Sequence, residues 1–463
     1  MAGAVHAQPE PPEAIPPEVT PETPPDPPPL PEEAPDGEGG ASAEAVVEPE
    51  GAPEATPDPA AGSGGAPELT PEELAEIEAA LGADAKVQTE SATKDDAVAA
   101  TQTSNTGPGM IRQDKAFLPN ISIILDAAAA MFSVSDPEQG GGHDPNANGF
   151  NLQQLELSMS KSVDPYFRFD TNIVFSLFGV EVEEAYATTL GLPASLQVRA
   201  GQFLTRFGRI NSTHPHSWDF ADQPFMWSKV WGGEGNRGLG VELSWLTPLP
   251  WYVEVLASSS HAAGASTARS FYGADDQGVK TPLDLQHTGA LKQFFELGDD
   301  WSLMWGLSVA NGPNPYGRDT RTDVYGSDLY IKYRPITRQS FTIVSLQTEW
   351  LYRRRQVPLG ILQDTGGYAY LFWRFAQRWG TAARYEYGTA TLNRGGDPVV
   401  DPLDAEQTEP RHRGTINLTF WPSEFSRLRL QGSGDFPGWR PEPIWAGFFT
   451  FEVVIGSHGA HNF

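Results

Sequence analysis

From about residue 120 onward, apolar and polar side chains alternate with a period of two. In "LQQLELSMS", Leu155, Leu157 and Met159 alternate with Gln154, Glu156, Ser158 and Ser160. In "WSLMWGLSV", Trp301, Leu303, Trp305, Leu307 and Val309 share one face, and Ser302, Gly306 and Ser308 the other. "SRLRLQ" sets Leu428 and Leu430 against Arg427, Arg429 and Gln431, and "FFTFEVVI" sets Phe449, Phe451, Val453 and Ile455 against Thr450 and Glu452. Successive side chains of a strand point to opposite faces, so this pattern predicts half-buried strands. A soluble sandwich or propeller would show the same alternation, and the connections separate the possibilities.

About sixteen such segments are joined by links that alternate short and long. The short links are "VDP", "LGLPA", "TPLP", "GDD", "PITR", "QRW" and "PSE"; the long ones span 135–149, 209–236, 260–282, 311–322, 356–367, 388–410 and 432–443. A tight turn at 178–180 is the exception. Short turns on one rim and long loops on the other are the asymmetry of outer-membrane barrels. Tyr166, Phe167, Trp245, Trp251, Trp301, Trp379 and Trp421 lie beside the short turns, where interfacial girdles belong. Residue Phe463 is the aromatic C-terminus usual for assembly-machinery substrates. The fold expected is all-β: an antiparallel transmembrane β-barrel of about sixteen strands with a disordered N-terminal extension.

Composition divides the chain. No Phe, Trp or Tyr precedes Phe117, and up to residue 110 there are 23 Asp and Glu against Lys86 and Lys94 alone. That segment carries −21 of the formal −29, so the acidity says little about the partners of the folded part. It has too little apolar surface to offset its ordering entropy, and residues 8–115 are expected to be a disordered, Pro-rich periplasmic extension. One helix signal interrupts it near 70–82: Thr70 as cap, Pro71, Glu73 completing a capping box, and Gly82 as stop. Residues 1–7 read as the remnant of a signal-peptide cleavage region, Val5-His6-Ala7 having the small-residue form of such a site. The chain has no Cys, so disulfides and thiolate metal sites are excluded, and no apolar run is long enough for a transmembrane helix.

Sixteen closed strands leave a lumen too wide for side chains to fill. The positions facing it are Glu156, Arg168, Asp170, Glu183, Arg199, Asp328, Lys332, Glu349, Arg353, Arg374, Arg384, Glu386, Arg427, Arg429 and Glu452. A dry core could not hold so many ions. The stretch "RAGQFLTRFGRINSTHPHSWDFADQPFMWSKVWGGEGNRG" begins as a strand and then loses its period, so 209–236 is expected to fold into the lumen as a constricting third loop. Its "VRAGQFLTRFGRI" and "ADQPFM" resemble the strand-to-loop segment of the phosphate-selective porin O/P family. Its "FGRIN", "HPH" and "WDF" resemble more closely the barrels named zinc-regulated outer-membrane receptors. The porin resemblance implies passive diffusion and a homotrimer. The receptor resemblance implies coupling to TonB, with a folded N-terminal plug and 22 strands, and this sequence departs from both features.

Arg199, Arg206 and Arg209, facing Asp219 and Asp222, are expected to set selectivity at the constriction. Arg353, Arg374, Arg384, Arg427 and Arg429 are expected to line the rest of the path. Arg353, Arg354 and Arg355 read as a strand running into a solvated rim that touches lipopolysaccharide phosphates. His214, His216 and Asp219 offer a zinc-type set, although the loop's simpler role is to be pinned to the wall by hydrogen bonds. "GGEGNRG" does not have the form of a phosphate cradle, and no catalytic nucleophile or nucleic-acid patch stands out. The expected function is a porin for small hydrophilic solutes, in contact with lipid and lipopolysaccharide, needing no cofactor and leaning to anions such as phosphate. A receptor for zinc or a metal chelate, and a structural barrel whose acidic tail contacts periplasmic partners, are the alternatives.

Overall fold

The computed structural model describes residues 119–177, 179–262, 267–271, 278–335, 341–358 and 360–456. The chain divides into units 1–109 and 110–463, and every described residue belongs to the second. The acidic extension, its helix near 70–82, the cleavage-like segment 1–7 and Phe463 lie outside the described residues.

The strands are β1 (Asn120–Phe132), β2 (Gly149–Ser162), β3 (Phe167–Ser176), β4 (Gly179–Thr189), β5 (Leu196–Leu204) and β6 (Arg237–Leu246). They continue with β7 (Tyr252–His261), β8 (Gln286–Glu296), β9 (Trp301–Asn314), β10 (Gly317–Tyr333), β11 (Ile343–Val357) and β12 (Gly360–Ala376). The last are β13 (Trp379–Gly388), the two-residue β14 (Leu392–Asn393), β15 (Arg411–Ser423), β16 (Ser426–Pro437) and β17 (Ile444–Gly456). Each wall strand pairs antiparallel with its sequence neighbours, β13 pairs directly with β15, and β1 pairs with β17 from Ser122–Gly456 to Phe132–Ala446. The sheet therefore closes on itself as a barrel of sixteen wall strands, and β14 adds only a short pairing to β12 at Leu362 and Gln363. Closure leaves no unpaired edge, which is what permits strands to sit in lipid.

The alternation in sequence becomes inside and outside. In β6, Leu239, Val241, Leu243 and Trp245 are exposed on the outer face while Glu242 and Ser244 are buried on the inner one. Apolar outside and polar inside is the reverse of a soluble core and marks the outer face as lipid-facing. Trp245, Trp251, Trp301 and Trp379 are exposed near the tight-turn rim, as a girdle requires. Trp421 is an exception: it is buried, packs edge-on against Phe372, and lies under the Arg374 guanidinium. It shares parity with the inward Asn417 and Thr419, and nearness to a turn does not override the period of two.

Two expected loops are instead strand. Residues 311–322 and 356–367 belong to β9, β10, β11 and β12, and only 315–316 and 358–359 connect them. These ladders continue through polar sequence, where no lipid-facing side chain is needed and the alternation signal disappears. The link after β3 is tight, as expected. Two β-bulges reshape the inner face of the wall. Gln153 is skipped between the Asp126–Gln154 and Ala127–Leu152 pairs, and Glu183 between Asn172–Glu184 and Ile173–Val182. Each bulge turns two consecutive side chains inward: Gln153 with Gln154, and Glu183 with Glu184.

Candidate functional site

The link 205–236 fills the middle of the lumen. Its feet are tied together by Asn211, whose side-chain amide donates to the Thr205 carbonyl (2.8 Å) and the Asn236 carbonyl (3.0 Å) and whose oxygen accepts the Asn236 N–H (2.8 Å). Its first turn has Gly208 at φ +60°, a conformation that favours glycine, and the Glu349 carboxylate accepts the next two N–H groups, of Arg209 (2.7 Å) and Ile210 (2.9 Å). After two short 3-10 turns comes α1 (Phe225–Trp231), every residue of which is buried. Phe207, Phe220, Phe225, Met226, Trp227, Val230 and Trp231 pack with Phe271, Leu351, Tyr368 and Tyr370 into an apolar core inside the barrel. Trp231 stacks on Phe271 at 5.9 Å and meets Phe207 edge-on at 4.9 Å. The loop therefore resembles a small hydrophobic domain held inside the barrel.

The wall grips this loop mainly through its backbone. Arg427 donates to the carbonyls of Trp218 (3.0 Å) and His216 (2.6 Å), Arg429 to that of Trp218 (2.7 Å), Arg384 to that of Asp222 (2.9 Å) and Arg413 to that of Gln223 (2.7 Å). Under α1, Asp222 pairs with Arg384 (2.9 Å) and Arg413 (3.3 Å), and Glu386 pairs with the same two arginines. The Asp222 carboxyl is lowered below its ordinary value: burial pushes it up, but the Arg384 and Arg413 charges outweigh that. Above α1, Arg353 pairs with Asp364, which also takes Lys229 (3.1 Å), and Arg355 pairs with Asp401.

Several expected placements are corrected by these contacts. Arg199 pairs with Glu242 (3.2 Å) and lies over the Tyr186 and Phe203 rings, while Arg206 bridges Glu242 and Glu254, so neither faces Asp219 or Asp222. Arg209 lies over Tyr330 and donates to Gln347 (2.9 Å). Arg353 and Arg355 are buried in the ion network instead of forming a solvated rim; Arg354 alone of the three points outward, toward Asp323. The set His214, His216 and Asp219 is not brought together, because Asp219 accepts from the Tyr370 hydroxyl (2.9 Å) on the other side of the lumen.

The two histidines meet glutamates instead. His214 is held between Glu183 (Nδ1 to Oε2, 3.0 Å) and Glu184 (Nε2 to Oε2, 2.9 Å), and His216 Nδ1 faces Glu156 (3.0 Å). His143, from the first long link, places Nε2 3.2 Å from Glu234 and 3.5 Å from Glu183. His143, Glu184 and Glu234 were not among the expected residues. No period-two phasing puts Glu183 and Glu184 on one face, and a single His or Glu in an irregular loop carries no spacing signal.

Three of the spaces inside the barrel flank the loop. A vestibule of about 490 Å³ toward the tight-turn rim is lined by Arg209, Lys332, Tyr330, Arg374, Arg384 and Arg427 among others. One of about 460 Å³ toward the long-loop rim is lined by Glu138, Lys229, Arg269, Asp404 and Arg411 among others. They share no lining residue. Between them lies a neck of about 30 Å³, which shares Ile210, Thr213 and Trp218 with the first and Gly233 with the second. The neck has room for about two water molecules. His143, Asp144, Glu183, Gln223 and Glu234 line it, with no Lys or Arg.

No family model matches the chain. Among solved structures, it is similar to the outer membrane channel DcaP of Acinetobacter baumannii, with 12% identity, a TM-score of 0.50, and coverage of 73% of this chain and 97% of that one. The anion-selective porin from Comamonas acidovorans gives 11% identity, a TM-score of 0.48, and coverage of 73% and 99%. At such identities the likeness to the DcaP channel concerns the fold, an outer-membrane barrel. A sequence relative, an uncharacterized protein of Aquifex aeolicus (strain VF5), is 34% identical over 389 residues, covering 75% of this chain and 81% of its own. The chain belongs to the same family as this Aquifex aeolicus protein.

Proposed function

We propose that this chain is an outer-membrane porin that passes small hydrophilic solutes by diffusion, with a lean toward anions set in the vestibule at its tight-turn rim. The carrying observation is the charge of that vestibule. Arg209, Lys332, Arg374, Arg384 and Arg427 line it, against Asp219, Asp222 and Glu424. Asp222 is already neutralised by Arg384 and Arg413, whereas among the described residues neither the Arg209 guanidinium nor the Lys332 ammonium pairs with a carboxylate. Uncompensated charge in a confined aqueous space raises the local concentration of counter-ions. Sixteen strands instead of 22, and a lumen occupied by the chain's own third long-rim link, support diffusion over a TonB-coupled receptor.

On this reading the tight-turn rim and the extension 8–115 face the periplasm, the long loops face outward among lipopolysaccharide, and the barrel assembles as a homotrimer. Reversal potentials across a planar bilayer in a KCl gradient test the selectivity. The wild type should prefer chloride, and Arg209→Ala with Lys332→Ala should shift the potential toward cations. A cation-selective wild type, or a double variant indistinguishable from it, would overturn the reading.

A further inference from the structure

The neck is built differently from both vestibules. Every ionisable side chain lining it is a carboxylate or a histidine. A β-bulge and a glycine-rich turn supply two of these groups: Glu183 is the skipped residue of the bulge, and Glu234 lies between Gly232 (φ +93°) and Gly235 (φ +72°), while Gln153, the skipped residue of the other bulge, holds His143.

His143 and His214 hold their ring nitrogens in opposite ways. His214 has a carboxylate on each nitrogen, Glu183 at Nδ1 and Glu184 at Nε2. His143 Nδ1 faces the carbonyl oxygen of Gln153 (3.3 Å), which can only accept, so Nδ1 carries a proton. The same residue's side-chain amide donates back to the His143 carbonyl (2.9 Å) and fixes the backbone. Nε2 is thereby aimed at Glu234 Oε2 (3.2 Å) and Glu183 Oε1 (3.5 Å). An imidazole oriented by a backbone carbonyl on its far nitrogen is how proteins prepare a metal ligand.

We propose that His143 Nε2, Glu183 Oε1 and Glu234 Oε2 form a divalent-cation site of zinc type, and that a cation held there closes the neck. The three atoms lie within 4.8 Å of one another. The Nε2 separations of 3.2 Å and 3.5 Å bracket the edge of about 3.4 Å that a tetrahedron has when its metal–ligand bonds are about 2.0–2.1 Å. Glu183 is free to bind through Oε1 because its Oε2 is the atom held by His214. An independent observation points to the same place: Gln223, 4% exposed, lines the neck, and its Oε1 has no hydrogen-bond partner. One imidazole with oxygen donors suits zinc better than magnesium or calcium, which favour all-oxygen sets. In a space for about two waters, a bound ion with its remaining water leaves no room in the neck for a solute. The site does not depend on the sign of the vestibule's selectivity.

Zinc K-edge X-ray absorption on the full chain in detergent, loaded with one equivalent of zinc, tests the assignment directly. One imidazole with oxygen donors near 2.0–2.1 Å is expected. A two-imidazole shell would place the ion at His214 and His216 and overturn the proposal. Equilibrium dialysis should show His143→Gln and Glu234→Gln each weakening zinc binding at least tenfold, and unchanged affinity in both would overturn it. Should one variant lose its folded, heat-modifiable mobility, the other decides, because an ion held by His214, Glu156 and Glu183 would show the same one-imidazole spectrum. In bilayers, micromolar zinc should reduce conductance reversibly on chelation, and unchanged conductance at saturating zinc would refute closure of the neck.

Discussion

Truncating Trp231 should release the lumenal loop without opening the barrel. The side chain is fully buried, stacked on Phe271 and edge-on to Phe207. Replacing a buried Trp by Ala costs about 3–5 kcal/mol through lost burial and the cavity left behind. If that cost falls on the docked loop alone, the undocked population rises about a hundredfold to several thousandfold. Lys229, buried in the same helix and paired with Asp364, is accessible to trypsin only when the loop leaves the wall. Cleavage after Lys229 in the purified, folded protein should therefore accelerate by two to three orders of magnitude, since slow proteolysis follows the open population. Trp231→Phe, which keeps an aromatic ring in the stack, should change it far less. Equal cleavage rates in Trp231→Ala and the wild type, with both barrels intact by heat-modifiable mobility, would show that the apolar core does not hold the loop.

Other substitutions probe the wall and its ties to the loop. Gly208→Ala meets both a φ of +60° and a Cβ placed 2.3 Å from Glu349 Oε2, so it should loosen the loop's first turn and raise trypsin cleavage after Arg209; unchanged cleavage would contradict that. Leu430→Arg puts a charge on the lipid face at about 2–4 kcal/mol near midplane and should impair insertion, while Arg429→Leu beside it should insert normally. Equal insertion of the two would mean the face assignment is wrong. Arg353→Ala leaves Asp364 without its arginine in a buried network and should lower the barrel's resistance to denaturant by about 3–5 kcal/mol, as read from urea-dependent gel mobility. Removing residues 8–110 should leave insertion and conductance unchanged, because the barrel closes between β1 and β17; loss of folded mobility would refute this.

The wall was readable in the sequence because lipid and water impose a strict period of two, as Leu239, Val241 and Leu243 against Glu242 and Ser244 illustrate. The rule fails where the period breaks. A bulge brings Glu184 inward beside Glu183, and no alternation pattern contains that shift. Strand continues through 311–322 because ladder hydrogen bonds need no apolar face above the bilayer. The irregular run after Leu204 did show that something other than wall was present, but not which partners it would find. Asp222 meets Arg413 and His216 meets Glu156 across 191 and 60 positions of chain, contacts that only closure of the barrel creates. Parity places Arg199 in the lumen and Arg206 follows where the strand gives way to loop, yet Glu242 and Glu254 on neighbouring strands neutralise them before they can act at the constriction.

The central claim is that solute crosses the barrel along a path narrowed by the 205–236 loop. Single-channel recording of the full chain beside a variant lacking residues 212–230 tests it most directly, because the deletion removes all of α1 except Trp231, with Phe220 of the apolar core, and spares every wall strand. The account predicts small, discrete conductance steps from the full chain and steps several-fold larger from the variant, consistent with a lumen that sixteen strands leave wide. Equal steps from two equally well-folded barrels, or none from either, would contradict it.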